Sequence, residues 1–292
     1  MGKIRSNLLN QFWNIGFVEE PINEVVHAKE LNIHWLKHPY KDRWFADPFI
    51  LSASDKEIVV LVEEFQYSTS KGRIAKLVID KASYKLKEMV IILELPTHLS
   101  FPFIYRQGSD IYIMPENGAS GSSTIYRYNQ ATDELLKVSV VLQLPLTDAI
   151  IHNVNGNDYL FSTMQPSPNR GPLKVYAFDK DALKSADMPI SEIGFDLQIS
   201  RNAGAMFEVD GQLYRPAQDC VKCYGNGIIL QHVNYKGGRF TCDNINSFYS
   251  RNSLYDLGYH TFNMKDGLIV IDGHGRSKYW IINKVIDILK GF

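Results

Sequence analysis

The chain of 292 residues has only three cysteines and no excess of charge of either sign, with a formal net charge of −1. A near-neutral balance without a Lys/Arg-rich run argues against a nucleic-acid partner, because neutralising phosphates needs a basic surface. The sequence also lacks a signal peptide and an unbroken apolar run of membrane-spanning length. We therefore expect a cytoplasmic globular protein without a membrane span.

The three cysteines leave two interpretations open. Cys220 and Cys223 form a lone C-x-x-C, and His232 lies between them and Cys242. As zinc ligands, these four side chains would all have to converge in the fold. Free thiols in a reducing cytoplasm are the interpretation that we prefer.

Five segments of the chain share one pattern. Each opens on a small or polar residue, continues through a short apolar run and a turn rich in Gly, Asn, Asp or Ser, and ends in an alternating apolar and aromatic run. This order of features is typical of a β-hairpin. The segments are ADPFILSASDKEIVVLVEE, SFPFIYRQGSDIYIMPE, TDAIIHNVNGNDYLFST, NAGAMFEVDGQLYRPAQ and YHTFNMKDGLIVIDGH, starting at residues 46, 100, 147, 202 and 259.

The spacing of the hairpins predicts the fold. Most hairpins are followed by two more strand-like runs, and four strands in a period of about fifty residues are typical of a propeller blade. We predict an all-β protein, a single five-bladed β-propeller over residues 1–292, with blades starting near residues 46, 100, 147, 202 and 259. Residues 1–40 are predicted to form an N-terminal extension, and short helical patterns occur at 4–14 and 282–290.

A propeller brings polar residues from separate blades together. The first strands start at one mouth of the central channel, and the second strands end beside those starts. Carboxylates crowded there raise one another's pKa, a cost that a proton-transfer site tolerates. The predicted catalytic residues are Asp47, Asp148, Glu116 and Glu64. The predicted substrate-binding residues are Trp44, Arg201, Asn202, Arg215, Gln218, Asp219, His260 and His274.

The motifs ADPFI, TDAII and GYHTFNMKDGLIVIDGH resemble five-bladed glycoside hydrolases of the arabinanase and xylosidase group, which are family 43-like. The resemblance implies that Asp47 is the general base, that Asp148 tunes pKa values and orients the sugar, and that His260 holds ordered water or a metal ion in the channel. It also implies a Glu general acid where blade four begins. Here the chain reads SRNAGAMF, which contains no carboxylic acid.

Four other motifs are similar, in the same order, to the propeller domain that precedes the glycosyltransferase domain in plant glucosamine inositolphosphorylceramide transferases. They are WFADPFI, HLSFPFIY…YIMPE, RNAGAMF and YRPAQDC…YGNGI. Similar stand-alone propellers occur in bacteria in a surface-polysaccharide context. This resemblance implies a role with carbohydrate and a partner enzyme of glycan synthesis.

Three functions follow from these observations. The leading hypothesis is glycosyl transfer in glycan biosynthesis, in which Asp47 is the base and Arg201 and Arg215 neutralise the leaving diphosphate of a nucleotide sugar. The second is hydrolysis with Glu116 or Glu64 as the acid, and the third is a catalytically silent propeller that binds glycan or docks a partner. No cofactor is required, and a channel metal ion near His260 is left open.

Overall fold

The computed structural model describes residues 11–276, which are nearly all β. The chain opens on β1 (Gln11–Val18), a single short helix α1 (Ile22–Val25) and β2 (His34–Trp35). The helical pattern at 282–290 lies outside the described residues, as does most of the one at 4–14, whose last residues belong to β1. Among the described residues, no helix is long and apolar enough to cross a membrane.

Blades one to four are formed by strands that follow one another along the chain and pair antiparallel. Blade one has β3 (Arg43–Ala53), β4 (Glu57–Gln66), β5 (Lys71–Asp80) and β6 (Lys85–Leu93). Blade two has β7 (Ser100–Gln107), β8 (Asp110–Glu116), the 3₁₀ turn Gly118–Ser120, β9 (Ser123–Asn129) and β10 (Glu134–Leu142).

Blade three has an additional short strand, because β13 pairs with both of the strands that follow it. Its strands are β11 (Leu146–Val154), β12 (Asn157–Met164), β13 (Leu173–Asp179), β14 (Lys184–Ser185) and β15 (Ser191–Ile193). Blade four has β16 (Phe207–Val209), β17 (Gln212–Asp219), β18 (Gly227–Lys236) and β19 (Arg239–Tyr249).

Blade five is built from both ends of the described chain, and it completes the predicted five-bladed propeller. β20 (Phe262–Lys265) and β21 (Leu268–Arg276) supply its inner strands, and β1 and β2 supply its outer ones. Along its whole length β1 pairs with β21, from Gln11 opposite Arg276 to Val18 opposite Ile269. Such pairing closes the ring and leaves no free edge at the joint.

Residues 11–18 and 34–35 therefore differ from the prediction, which placed residues 1–40 outside the blades. The alternation in QFWNIGFV buries Trp13, Ile15 and Phe17. Its partner strand lies at the other end of the sequence. A search for local hairpins could not reveal such a pairing.

A β-bulge aims the residue at the channel mouth in three consecutive blades. The register of the first and second strands shifts between Ala46 and Phe49 in blade one, and at the matching places in blades two and three. Inside each bulge one non-glycine residue has a positive φ: Asp47 at 51°, Phe101 at 43° and Asp148 at 48°. A bulge redirects a side chain and holds a sparsely populated backbone conformation, which is common beside functional sites.

Candidate active site at the channel mouth

Asp47 lies in the bulge of β3 and is 4% exposed. Its Oδ2 accepts the backbone N–H of Phe101 at 2.9 Å, and its Oδ1 accepts the hydroxyl of Thr261 at 3.0 Å. Burial, together with nearby carboxylates such as Glu63, raises the pKa of Asp47 to about 7, although His260 acts in the opposite direction. Asp47 can therefore exchange a proton near neutral pH.

His260 bridges Asp47 and Asp272. Its Nδ1 lies 2.6 Å from Asp272 Oδ2, and its Nε2 lies 3.4 Å from Asp47 Oδ1. Burial disfavours the charged ring, but the two carboxylates outweigh it and raise the pKa of His260 to about 9. Burial likewise acts against ionised Asp272, but the His260 ring and the backbone N–H groups of His260 and Asp47 lower its pKa overall. At neutral pH the ring is an imidazolium between two carboxyl groups.

Asp47, His260 and Asp272 are also the only group among residues 11–276 with metal-ligating atoms clustered closely enough for an ion, all within 4.8 Å of one another. A metal ion needs the neutral imidazole, whereas here the charged ring fills the place of a cation. The residue types fit an ion only after His260 loses its proton. Cys220, Cys223 and Cys242 are free thiols and belong to no such group among the described residues.

Asp148 occupies the equivalent bulge of β11, and its carboxylate is held by Arg201. Arg201 donates from Nε to Oδ2 at 2.6 Å and from Nη2 to Oδ1 at 3.1 Å, the bidentate geometry of a strong ion pair. Gln218 Nε2 adds a bond to Oδ2 at 3.1 Å, and Asn202 Nδ2 donates to the backbone carbonyl of Asp148 at 2.8 Å. Through these contacts with Asp148, Arg201, Asn202 and Gln218 form one wall of the site.

Glu116 ends β8 beside Asp148, as the hairpin pattern predicted for the mouth. Its Oε2 accepts the backbone N–H of Asp148 at 3.0 Å. Burial and the charge of Asp148 raise the pKa of Glu116 to about 8, against the opposing effect of Arg201. Glu116 is therefore a protonated carboxyl group at neutral pH, which is the state that a general acid requires.

Glu64, which was predicted as a possible acid, is held by two arginines. It is fully buried, and both of its oxygens accept bonds from arginines: Arg73 from Nε at 2.9 Å and from Nη2 at 3.0 Å, and Arg43 from Nη1 at 2.9 Å. These contacts argue against Glu64 as the acid, because both of its oxygens are engaged. Its neighbour Glu63 points to the other face of β4, and the charge of Glu63 is the one that reaches Asp47.

Arg215, which was predicted to help form an anion pocket, is an internal residue. It is completely buried. Its guanidinium donates from Nε to Asn202 Oδ1 at 2.7 Å, from Nη1 to the Gln231 side chain and from Nη2 to the carbonyl of Ser200. Burial lowers the pKa of Arg215 to about 10. These bonds, with a further one to the carbonyl of Ile199, hold the guanidinium against residues 199–202 and β18.

Two further predicted residues, Asp219 and His274, contact the loop at 220–226. Asp219 accepts the N–H of Val221 at 2.8 Å and the amide of Asn226 at 3.0 Å. His274 lies 3.0 Å from the carbonyl of Gly225 through Nε2. Burial is the main cause that lowers the pKa of His274 to about 4, so the ring is neutral and donates this bond. Trp44 is buried and stacks on Phe65, with ring centroids 4.6 Å apart.

Sequence reasoning missed two aromatic residues at the mouth. Tyr224 is 41% exposed and lies over Arg201, with 5.0 Å from the guanidinium carbon to the ring centre. Its ring also meets the His260 ring edge-on at 5.3 Å. Trp13 packs against His260 and stacks on His274, both with centroids 4.0 Å apart. Neither residue belongs to a hairpin repeat, and the sequence carries no local signal for Trp13.

Comparison with known proteins gives one family match. Residues 33–246 match the family model described as Glucosamine inositolphosphorylceramide transferase 1, N-terminal. The protein of that name from Oryza sativa subsp. japonica is 28% identical over 203 residues, covering 66% of this chain and 27% of its own length. The Arabidopsis thaliana protein is 28% identical over 204 residues, with 65% and 25% covered. The chain thus spans about a quarter of these relatives' length.

Solved structures share the propeller. RS223 β-xylosidase superposes with a TM-score of 0.55 at 11% identity, covering 80% of this chain and 92% of that one. The GH43_1 enzyme from Xanthomonas citri gives 0.55 and 11%, covering 81% and 88%. Identities this low carry information on the fold alone.

Proposed function

The chain belongs to the family of N-terminal domains of glucosamine inositolphosphorylceramide transferase 1, the family that its four motifs predicted, and on that basis we propose that it acts on carbohydrate by glycosyl transfer. The relatives' names describe a sugar transfer, and the β-xylosidase has the same fold. The single observation that carries the proposal is Asp47, a buried carboxyl group with a pKa of about 7 at the channel mouth.

In this mechanism Asp47 is the base. A group with a pKa near the working pH combines a sizeable ionised fraction with enough basicity to take a proton from a sugar hydroxyl. Thr261 and the N–H of Phe101 hold the carboxylate in place. The imidazolium of His260 at 3.4 Å stabilises its ionised form. Tyr224 offers a partly exposed aromatic ring on which a sugar face can stack.

The anion pocket of the original hypothesis has to be revised. Arg215 is bonded inside blade four, and Arg201 is engaged by Asp148. Neither presents a free guanidinium fork to a diphosphate. In this proposal the leaving group is therefore held outside the channel mouth.

Hydrolysis is the second candidate, and Glu116 is the observation that favours it. A protonated carboxyl group with a pKa of about 8 beside a base with a pKa of about 7 is the pair that acid–base cleavage of a glycosidic bond needs. In this mechanism Glu116 protonates the leaving oxygen and Asp47 activates water. The acid then comes from blade two instead of blade four.

The pH dependence of the two reactions distinguishes them. Both require ionised Asp47, so both rates rise as the pH passes about 7. Only hydrolysis requires protonated Glu116, so only its rate falls again above pH about 8. Product formation would be measured with sugar nucleotides plus acceptor glycans, and separately with neutral oligosaccharides.

Two variants complete the test. Asp47→Asn should lower either rate by about 10²- to 10⁴-fold, the usual contribution of a general base. Glu116→Gln should abolish hydrolysis but leave transfer largely unchanged, and the exposed Glu88→Gln on β6 serves as the control. Binding of glycan without turnover of any substrate would reject both reactions and favour a silent, partner-docking propeller.

A further inference from the structure

A groove of about 600 Å³ lies between blades five and one, next to the channel mouth. Trp13 and Trp44 form one wall, and Trp13 also packs against His260 in the candidate site. The volume lies within the range of small-molecule sites, about 300–1,000 Å³. The groove is therefore large enough for a ligand that also reaches the mouth.

The charge of the groove is of one sign. Its described lining contains four basic side chains and no acidic one, in a chain whose formal net charge is −1. The four are Lys37, Lys41, Arg43 and Arg276. Acidic side chains outside the lining already pair with two of them: Asp42 and Glu64 with Arg43, and Asp256 with Arg276. Lys37 and Lys41 have no ion pair among the described residues, and their positive charge attracts an anion.

The wall of the groove also offers aromatic rings and polar groups without partners. Tyr40 and Trp44 both line it, and the guanidinium carbon of Arg43 lies 4.8 Å from the Tyr40 ring centre. The buried Nε1 of Trp44 and Nδ1 of His38 have no hydrogen-bond partner among the described residues. Buried polar atoms left unpaired are costly, and a bound ligand would relieve that cost.

We propose that this groove binds the nucleoside diphosphate part of a sugar nucleotide. The aromatic rings would receive the base, the basic side chains would surround the diphosphate, and the sugar would extend past Trp13 to the mouth. The assignment rests on the proposed glycosyl transfer and names its donor.

The transfer step does not require a general acid. The acceptor oxygen forms a bond to the anomeric carbon of the sugar, and the bond from that carbon to the phosphate oxygen breaks. The diphosphate leaves with the electron pair and is stabilised by the basic side chains. The acceptor proton passes to Asp47.

Calorimetric titration of the full chain with UDP, GDP, CDP and ADP tests the proposal. We expect at least one to bind, and the matching nucleoside and inorganic pyrophosphate alone to bind at least about tenfold more weakly, because each fills only half of the groove. Lys41→Glu and Tyr40→Ala should each weaken binding about tenfold or more. The matched control is Lys137→Glu, an exposed lysine on the outer strand of blade two.

Two results would overturn the groove assignment: no binding of any of the four nucleotides, or binding that both groove variants leave unchanged. Asp47→Asn separates this assignment from the proposed function, since it should bind the nucleotide like the wild type. If the wild type binds a nucleotide but transfers no sugar, the proposed transfer reaction is refuted and the groove assignment is retained.

Discussion

Replacing Arg215 by methionine decides whether this arginine supports the fold or the substrate. Methionine has a similar length and suits an apolar interior, but it removes every bond that the guanidinium donates. Four buried acceptors then lose their donor: Asn202 Oδ1, the Gln231 side chain and the carbonyls of Ser200 and Ile199. Each unsatisfied buried acceptor costs about 1–3 kcal/mol. Partial relaxation leaves an expected loss of about 4 kcal/mol in the free energy of unfolding.

Urea unfolding, followed by tryptophan fluorescence, measures this loss as a lower midpoint at unchanged slope. The control is Arg127→Met on β9, whose side chain is 58% exposed and pairs with Asp110. That surface pair should contribute no more than about 1 kcal/mol. If Arg215→Met unfolds within about 1 kcal/mol of the wild type but loses ligand binding, the structural role is refuted and an anion pocket regains support.

Three further predictions concern the histidines at the mouth. Because the pKa of His260 is about 9 in the fold and about 6.5 in an unfolded chain, its stabilising charge is fully present below pH about 6.5 and lost as the pH rises through 9. The melting temperature should therefore fall over that interval in the wild type and fall less in His260→Gln. Chelators should leave the melting temperature unchanged at pH 6, where protonated His260 excludes an ion; a chelator-induced decrease there would support a resident metal. His274→Phe keeps the stack on Trp13 but loses the bond to Gly225, so hydrogen exchange should accelerate in residues 220–226 and stay unchanged in the distant β9.

The hairpin repeat was enough to predict most of the fold, because each hairpin pairs strands that are adjacent in the sequence. It also predicted Asp47 and Asp148 at the mouth, since both stand where a first strand begins, and in the structure both lie in the bulge of a first strand. The start of a strand is a local signal in the sequence, whereas the bulges that turn these two residues towards the channel appear only in the folded backbone, as a residue of positive φ. Closure by β1 has no such local signature, because its partner β21 lies at the far end of the chain.

The side-chain direction at the ends of second strands was harder to predict. In β17 every residue from Tyr214 to Asp219 is buried, so alternation of apolar and polar residues gives no sign that Arg215 faces the blade interior. In β4, Glu63 and Glu64 are both buried, and only their contacts distinguish them. Charged residues inside a propeller satisfy one another across blades, and a single sequence does not record those partners.

Pairing of charges at the mouth explains which carboxyl groups keep a proton. Arg201 binds Asp148 through a bidentate pair, and His260 lies 2.6 Å from Asp272. Each of these two carboxylates has a cation of its own, and the one beside Asp272 lowers the pKa of Asp272.

Asp47 and Glu116 have no cation of their own, so burial and the neighbouring negative charges dominate and raise both pKa values. Glu116 accepts a hydrogen bond from the backbone N–H of Asp148, and Asp47 shares its cation with Asp272. The two carboxyl groups with pKa values of about 7 and 8 are thus the two that have no cation of their own. Arg201, which stands where the hydrolase resemblance implies an acid, acts by engaging Asp148. Its charge also acts against the proton on Glu116, but burial and the charge of Asp148 outweigh it.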